Sequence, residues 1–291
     1  MKKRKLTALL LCLLAVGMMT FNGCKKKEAL VDSDTSVATD DALVQDETNN
    51  VLNAANTTYH DQSGSRLQYN YTLLPICAHV TGINDSTGII DSLTLPHTII
   101  IDFGTSGCYC DNWDKKYRKG QIIVTWTGRF KDSNNVVTVI TKDYSVSTDN
   151  GISYDSLHLT ATITNNGTNA LHHPVHTIHA VDTCVTNTGK ITWTSDCVVE
   201  WTGGYAYPYP VAQQTFSMTG TALGVSRKGT PFNVNITSPV EFDLSCQYTV
   251  VRGTLDINIG TGATRHVDFG NGGCDNDATV DIDGTIYNIK I

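Results

Sequence analysis

Residues 97–110 read HTIIIDFGTSGCYC, and residues 265–276 read RHVDFGNGGCDN. In each, a short run, Thr-Ile-Ile-Ile in the first copy and Arg-His-Val in the second, leads into Asp-Phe-Gly-x-x-Gly-Cys. Val, Ile and Thr suit a pleated strand. Aspartate then stops it by accepting backbone N–H groups of the turn, and glycine supplies positive φ. The motif therefore reads as a strand-ending turn stapled by a cysteine. Asp102 and Asp268 accept from the turn, and Phe103 and Phe269 turn into the core. Gly104, Gly107, Gly270 and Gly273 take the positive φ values. The same three letters hold magnesium in protein kinases, but only with a glycine-rich strand pair, a strand lysine and a His-Arg-Asp loop upstream. The chain has none of these.

The same style of sequence runs through the rest of the body. Short runs such as GQIIVTWTGRF (120–130), VVTVITKDYSV (136–146), LHLTATI (157–163) and FNVNITS (232–238) alternate apolar and polar residues. Period 2 and β-branched content argue for strands with one buried face. Asn150-Gly151, Asn166-Gly167, Lys228-Gly229 and Asp283-Gly284 are turn signals between them. The reading is all-β: an antiparallel sandwich or elongated packed sheets of roughly fourteen strands, with no convincing amphipathic helix. The motif also implies an internal pseudo-repeat. Units at about 67–130 and 241–291 bracket residues 131–240 within a body spanning 57–291.

The N-terminus gives an address. MKKRKLTALLLCLLAVGMMTFNGC puts basic residues before an apolar run from Leu6 to Phe21, the order of a secretory signal. The run is short for a membrane span. Phe21-Asn22-Gly23-Cys24 resembles a bacterial lipobox, with Phe21 where leucine is usual. Residues 1–23 then read as a lipoprotein signal peptide, and Cys24 as the lipidated residue, carrying acyl chains such as palmitate. Lys25 follows Cys24, and no aspartate stands there to retain the protein at the inner membrane. The expected location is the outer membrane, lipid-anchored, periplasmic or surface-facing. Residues 24–56 are polar and acidic without useful apolar periodicity, and read as a flexible tether in which a short helix between Asp41 and Ala55 is possible.

Charge narrows the partners. Removing residues 1–23 takes away Lys2, Lys3, Arg4 and Lys5, leaving 17 basic side chains against 28 acidic ones, a net of −11. No basic stripe serves nucleic acid. The membrane is reached through the lipid anchor, and glycan or another surface protein is the candidate partner.

Cys12 and Cys24 aside, seven cysteines remain in an oxidising compartment. Cys77 precedes Cys108 by 31 residues, and Cys246 precedes Cys274 by 28. The repeat therefore assigns Cys77–Cys108 and Cys246–Cys274. Cys184 and Cys197 flank a hairpin-like segment and are expected to pair, which leaves Cys110 over, either free or competing with Cys108.

Several blocks carry a further likeness: Ile101 to Phe130, Thr162 to Thr168, Lys190 to Gly203, Gly220 to Thr237, Leu244 to Cys246, and Asp268 to Gly284. Together they resemble an uncharacterised family of Gram-negative outer-membrane or surface lipoproteins with repeated DFGxxGC blocks. The resemblance covers most of residues 97–291 and brings no catalytic residues with it. Cys184, Cys197 and the segment Tyr205–Tyr209 look additional to the family pattern.

Chemical candidates are few. HHPVHTIH (172–179) is the most metal-like segment, with His172 and His176 on one face if extended. Pro174 and the spacing match no established site. It is read as a polar strand edge, and no metal or other cofactor is assigned. DNDATVDIDG (275–284) lacks the order of a calcium loop. GGYAYPYP (203–210) places Tyr205, Tyr207 and Tyr209 on one side of an extended segment, suited to stacking on sugar rings or a protein. No GxSxG, HExxH, Walker or GxGxxG motif occurs. The expectation is a non-enzymatic binding or envelope-structural protein. The alternatives are a glycan binder using Tyr205–Tyr209 and a glycan-degrading enzyme whose carboxylates meet only in space.

Overall fold

A computed structural model describes residues 32–59, 74–75, 77–82, 97–111, 113–128, 132–205, 213–246 and 250–290. Ser33–Ile291 form one compact unit. Residues 1–23, expected to be a signal peptide, together with Cys24, Tyr207 and Tyr209, lie outside the described residues.

The strand-forming runs assemble as one antiparallel sheet of 15 strands. Its first part is β1 (His79–Gly82), β2 (His97–Asp102), β3 (Cys108–Tyr109), β4 (Tyr117–Trp126) and β5 (Val136–Ser147). β6 (Asp155–Leu157) and β7 (Thr160–Thr168) share β5 and β8 (Pro174–Thr186) as neighbours. A meander follows through β9 (Gly189–Gly203), β10 (Thr215–Val225), β11 (Pro231–Asp243), β12 (Val250–Asn258), β13 (Arg265–Asn271), β14 (Asp277–Ile282) and β15 (Thr285–Lys290). The all-β antiparallel expectation holds, as one continuous hydrogen-bonded sheet rather than two.

Local chemistry explains the connections. Asp283 and Gly284 both have positive φ, 51° and 81°, and close a two-residue hairpin between Ile282 and Thr285. Gly229, at φ 79°, sits in the β10–β11 turn. Gly167 is different: it lies inside β7 at a register shift rather than between strands.

The two DFG turns stand near opposite ends of the strand order. β2 pairs with β1 and β4, and β13 pairs with β12 and β14. Asp102 accepts from the Gly104 N–H at 2.7 Å, and Asp268 from the Gly270 N–H at 2.8 Å. Phe103 and Phe269 are buried. Gly104, Gly107, Gly270 and Gly272 carry the positive φ values, so in the second copy Gly272 does what the sequence assigned to Gly273. Cys77 is bonded to Cys108 and Cys246 to Cys274, with Cα separations of 5.6 and 5.1 Å.

The pairing of Cys184 with Cys197 is overturned. Both are buried free thiols. The β8–β9 register puts Cys184 opposite Ile191 and Cys197 opposite Ile178, so about 20 Å of strand lies between them. Burial pushes their thiols up, to about 12 and about 11. Cys110 is the third buried thiol, and burial raises it as well.

The tether is overturned as well from Ser36 onward. Ser36–Tyr59 is a single α-helix, α1, and no residue from Ser36 to Asn56 is exposed. Val37, Ala38, Val44, Val51, Ala54 and Ala55 enter the same core as the inner faces of the strands. The sequence hid this because polar groups also face the sheet. Asp40, Asp41, Glu47, Thr48 and Asn50 are buried among them, so no stripe of apolar residues stands out against a polar remainder.

Candidate functional site

The first half of α1 is fixed by paired polar groups. The Arg227 guanidinium and backbone N–H both bond Asp40. Trp193 Nε1 donates to Asp41 at 2.9 Å, and Thr48 Oγ1 to Asp182 at 3.0 Å. Lys116 Nζ sits 2.6 Å from Glu47 and 2.8 Å from Asp46. Burial lifts the Asp41 carboxyl to about 7 and that of Asp182 to about 6.

Beside this network, Arg118 is wholly buried. It holds Asp114 through two bonds of 2.6 and 2.5 Å, donates to the Tyr144 hydroxyl at 2.8 Å, and stacks 4.1 Å over Trp113. Phe103 of the first DFG turn meets Tyr144 edge-on at 5.8 Å. The motif's aromatic ring thus packs against the neutral phenol that accepts a hydrogen bond from the buried arginine, whose charge is balanced by Asp114. These contacts are structural.

The second half of α1 differs. Asn49, Leu52, Asn53 and Asn56 recur at i, i+3, i+4 and i+7, one helical face. They overhang a cavity of about 110 Å3 whose other walls come from β7 to β11 and the residue after it. Ile163, Ile178, Val199, Trp201, Phe216, Met218, Phe242 and Leu244 make those walls apolar, and His176 adds one imidazole. Trp201 and Phe216 stack at 5.6 Å with 26° between ring planes. His176 is buried, and desolvation depresses its pKa to about 4, so the ring is neutral near pH 7. Asn56 Nδ2 donates to Gln214 just before β10 at 3.3 Å, which ties the helix to the cavity's far wall. An apolar pocket with a few convergent polar groups is the usual form of a small-ligand site.

No match is found for this chain among protein-family models, curated proteins or solved structures.

Two larger, more polar clefts lie at the DFG turns. One of about 390 Å3 is bordered by Cys77, His79, Asp102 and Ser106. The other, about 550 Å3, is bordered by Asp268, Asn271, Asp275, Asp277 and Asn288. The carboxylates there are engaged: Asp268 and Asp275 accept turn N–H groups, and Asp277 pairs with Lys290. Neither cleft has the apolar walls of the helix–sheet cavity.

The histidines expected on one face are separated. His172 sits in the β7–β8 turn at φ 63°, while His176 points into the cavity. His173 is bonded to Glu200 at 2.5 Å and His179 to Asp196 at 2.7 Å. Among the described residues no group of three metal-ligating side chains forms. Tyr205 lies 6.4 Å from Trp201 and 5.5 Å from His173, each edge-on, so it stands beside the cavity wall. The helical face Asn49–Asn56 was missed at the sequence level. Its i, i+4, i+7 amides were a readable signal once a helix was granted.

Proposed function

We propose that this chain is a lipid-anchored protein of the outer membrane or cell surface, a member of the uncharacterised lipoprotein family its motif blocks resemble, acting by binding rather than by catalysis. The anchor is Cys24, held in the membrane by acyl chains. The observation that supports binding is the apolar cavity under Asn49, Asn53 and Asn56, walled by Trp201 and Phe216. Its lining offers shape, apolar surface and neutral hydrogen-bonding groups.

Two measurements test this reading. Cys24→Ser should move the protein from the membrane to the soluble envelope fraction; unchanged fractionation would refute the anchor. Small apolar compounds should alter tryptophan emission in a saturable way through Trp201; release of sugars from a polysaccharide by the purified chain would replace binding with catalysis.

A second reading is a glycan binder built on Tyr205, Tyr207 and Tyr209. The place of Tyr205 against Trp201 favours it, since an aromatic ring beside an apolar cavity offers a face to a sugar. A glycan array should then give signals that Tyr205→Ala removes, and an array blank for both proteins would end the idea.

A further inference from the structure

The cavity's size and neutrality together restrict what it can take. An engineered dry cavity of about 150 Å3 lined by Leu, Ile and Phe is enough to bind benzene. At about 110 Å3 and partly open to solvent, this one is of a size to seat a single ring against its apolar walls. The stacked pair of Trp201 and Phe216 gives the ring a flat wall, and Met218 offers a deformable sulfur surface of the kind aromatic edges contact.

Charge is the second restriction. Among the described residues, no carboxylate, lysine or arginine lines the cavity. The polar groups are the amides of Asn49, Asn53 and Asn56 and the imidazole of His176. An ionised ligand would lose water without meeting a counter-charge, whereas a hydroxyl can be met by an amide.

We infer that the cavity is a binding site for an uncharged single-ring compound, aromatic and carrying one hydroxyl or similar hydrogen-bonding group, with the ring against Trp201 and Phe216 and the polar group toward the helix amides. The inference rests on the cavity being the functional site and adds the ligand class.

One probe reports on it directly. The chain has four methionines, and Met218 is the sole one beyond residue 19. In the full chain labelled with [methyl-13C]methionine, the Met218 resonance can be followed while phenol, benzene, 1-hexanol, benzoate and benzylamine are added in turn. Phenol should shift it saturably, benzene more weakly, and benzoate and benzylamine at least about tenfold more weakly than phenol. Val199→Phe, which fills the cavity, should abolish the phenol shift while leaving the melting transition cooperative. Should Val199→Phe fail to fold, Asn53→Leu carries the test: it should remove the preference for phenol over benzene. Equal binding of benzoate, or an unchanged preference in Asn53→Leu, overturns the ligand class. Binding of 1-hexanol in place of phenol overturns the ring but keeps the site. No saturable shift with any probe overturns the site itself.

Discussion

Asp41 is a carboxyl in a place where charge is costly. It is 2% exposed on α1, receives one bond from Trp193 Nε1, and has Asp40 beside it already committed to Arg227. Burial raises its pKa from 3.8 to about 7. A raised carboxyl binds its proton more tightly when folded, so folding is favoured at low pH. That advantage is lost as pH climbs from about 4 to about 7, and is gone above. The full span corresponds to on the order of 4 kcal/mol. Asp182, raised to about 6, acts in the same direction. His176 acts oppositely, because its depressed pKa costs stability as pH falls from 6.5 toward 4. A difference measurement isolates Asp41. Asp41→Asn keeps an oxygen for Trp193 and removes the titration, so it should be more stable than wild type in urea at pH 8 and equal to it near pH 4. A constant difference across that range would show that Asp41 is not the titrating group.

The cysteines carry a second residue-scale prediction. Peptide mapping without reductant should recover Cys77–Cys108 and Cys246–Cys274, with Cys110, Cys184 and Cys197 as thiols that react only after unfolding. A Cys184–Cys197 peptide would contradict the β8–β9 register. The two bridges were legible because the repeat fixes a spacing. The third pairing was not, since flanking a hairpin says nothing about how far each strand runs past the turn.

At the scale of elements, strands were legible, while the helix was read only as a possible short segment between Asp41 and Ala55, for one physical reason. A strand with one wet face alternates, and β5 shows it, with Val137 and Val139 buried and Thr138 and Ile140 turned outward. α1 is only partly exposed even on its outer side, and the buried aspartates of its inner side blur the period. The bulges were equally hidden. Gly120 lies in β4 where the register with β5 slips between Lys119 and Gln121. Its φ is 80°, and a Cβ there would lie 2.2 Å from the Asp143 carbonyl oxygen. The left-handed backbone alone costs a non-glycine residue about 1–2 kcal/mol, and the clash adds to that. Gly120→Ala should therefore lower stability by at least about 2 kcal/mol in urea titration. Gly229→Ala is the control: it has a similar φ with nothing within 4 Å of a Cβ, and should cost only the backbone strain. Equal losses would mean that the close approach of β4 and β5 does not constrain the bulge.

At the scale of the whole unit, the question is whether α1 is an attachment or a part of the core. The DFG turns and their bridges strengthen the two ends of the strand order, but neither covers the inner face of the middle strands. α1 does: its hydrogen bonds reach the approach to β4 at Lys116, β8 at Asp182, β9 at Trp193 and the β10–β11 turn at Arg227. Burying Val37, Val44 and Val51 contributes about 5–9 kcal/mol, comparable with the whole stability of an ordinary domain, about 5–15 kcal/mol. Deleting residues 33–59 should therefore leave a chain that binds hydrophobic dye and unfolds without a cooperative transition. Deletion also removes chain length, so a single substitution separates the two effects. Val44 is 0% exposed, and Val44→Asp puts a carboxylate there with no designed partner. Val44→Asp should destabilise the full chain by at least about 3 kcal/mol, while Val44→Ala should cost about 1–3 kcal/mol through lost contact and cavity. If Val44→Asp instead melts with the wild type, α1 undocks at negligible cost. The cavity beneath Asn49, Asn53 and Asn56 would then lose its roof in solution, and the binding proposal would fall with it.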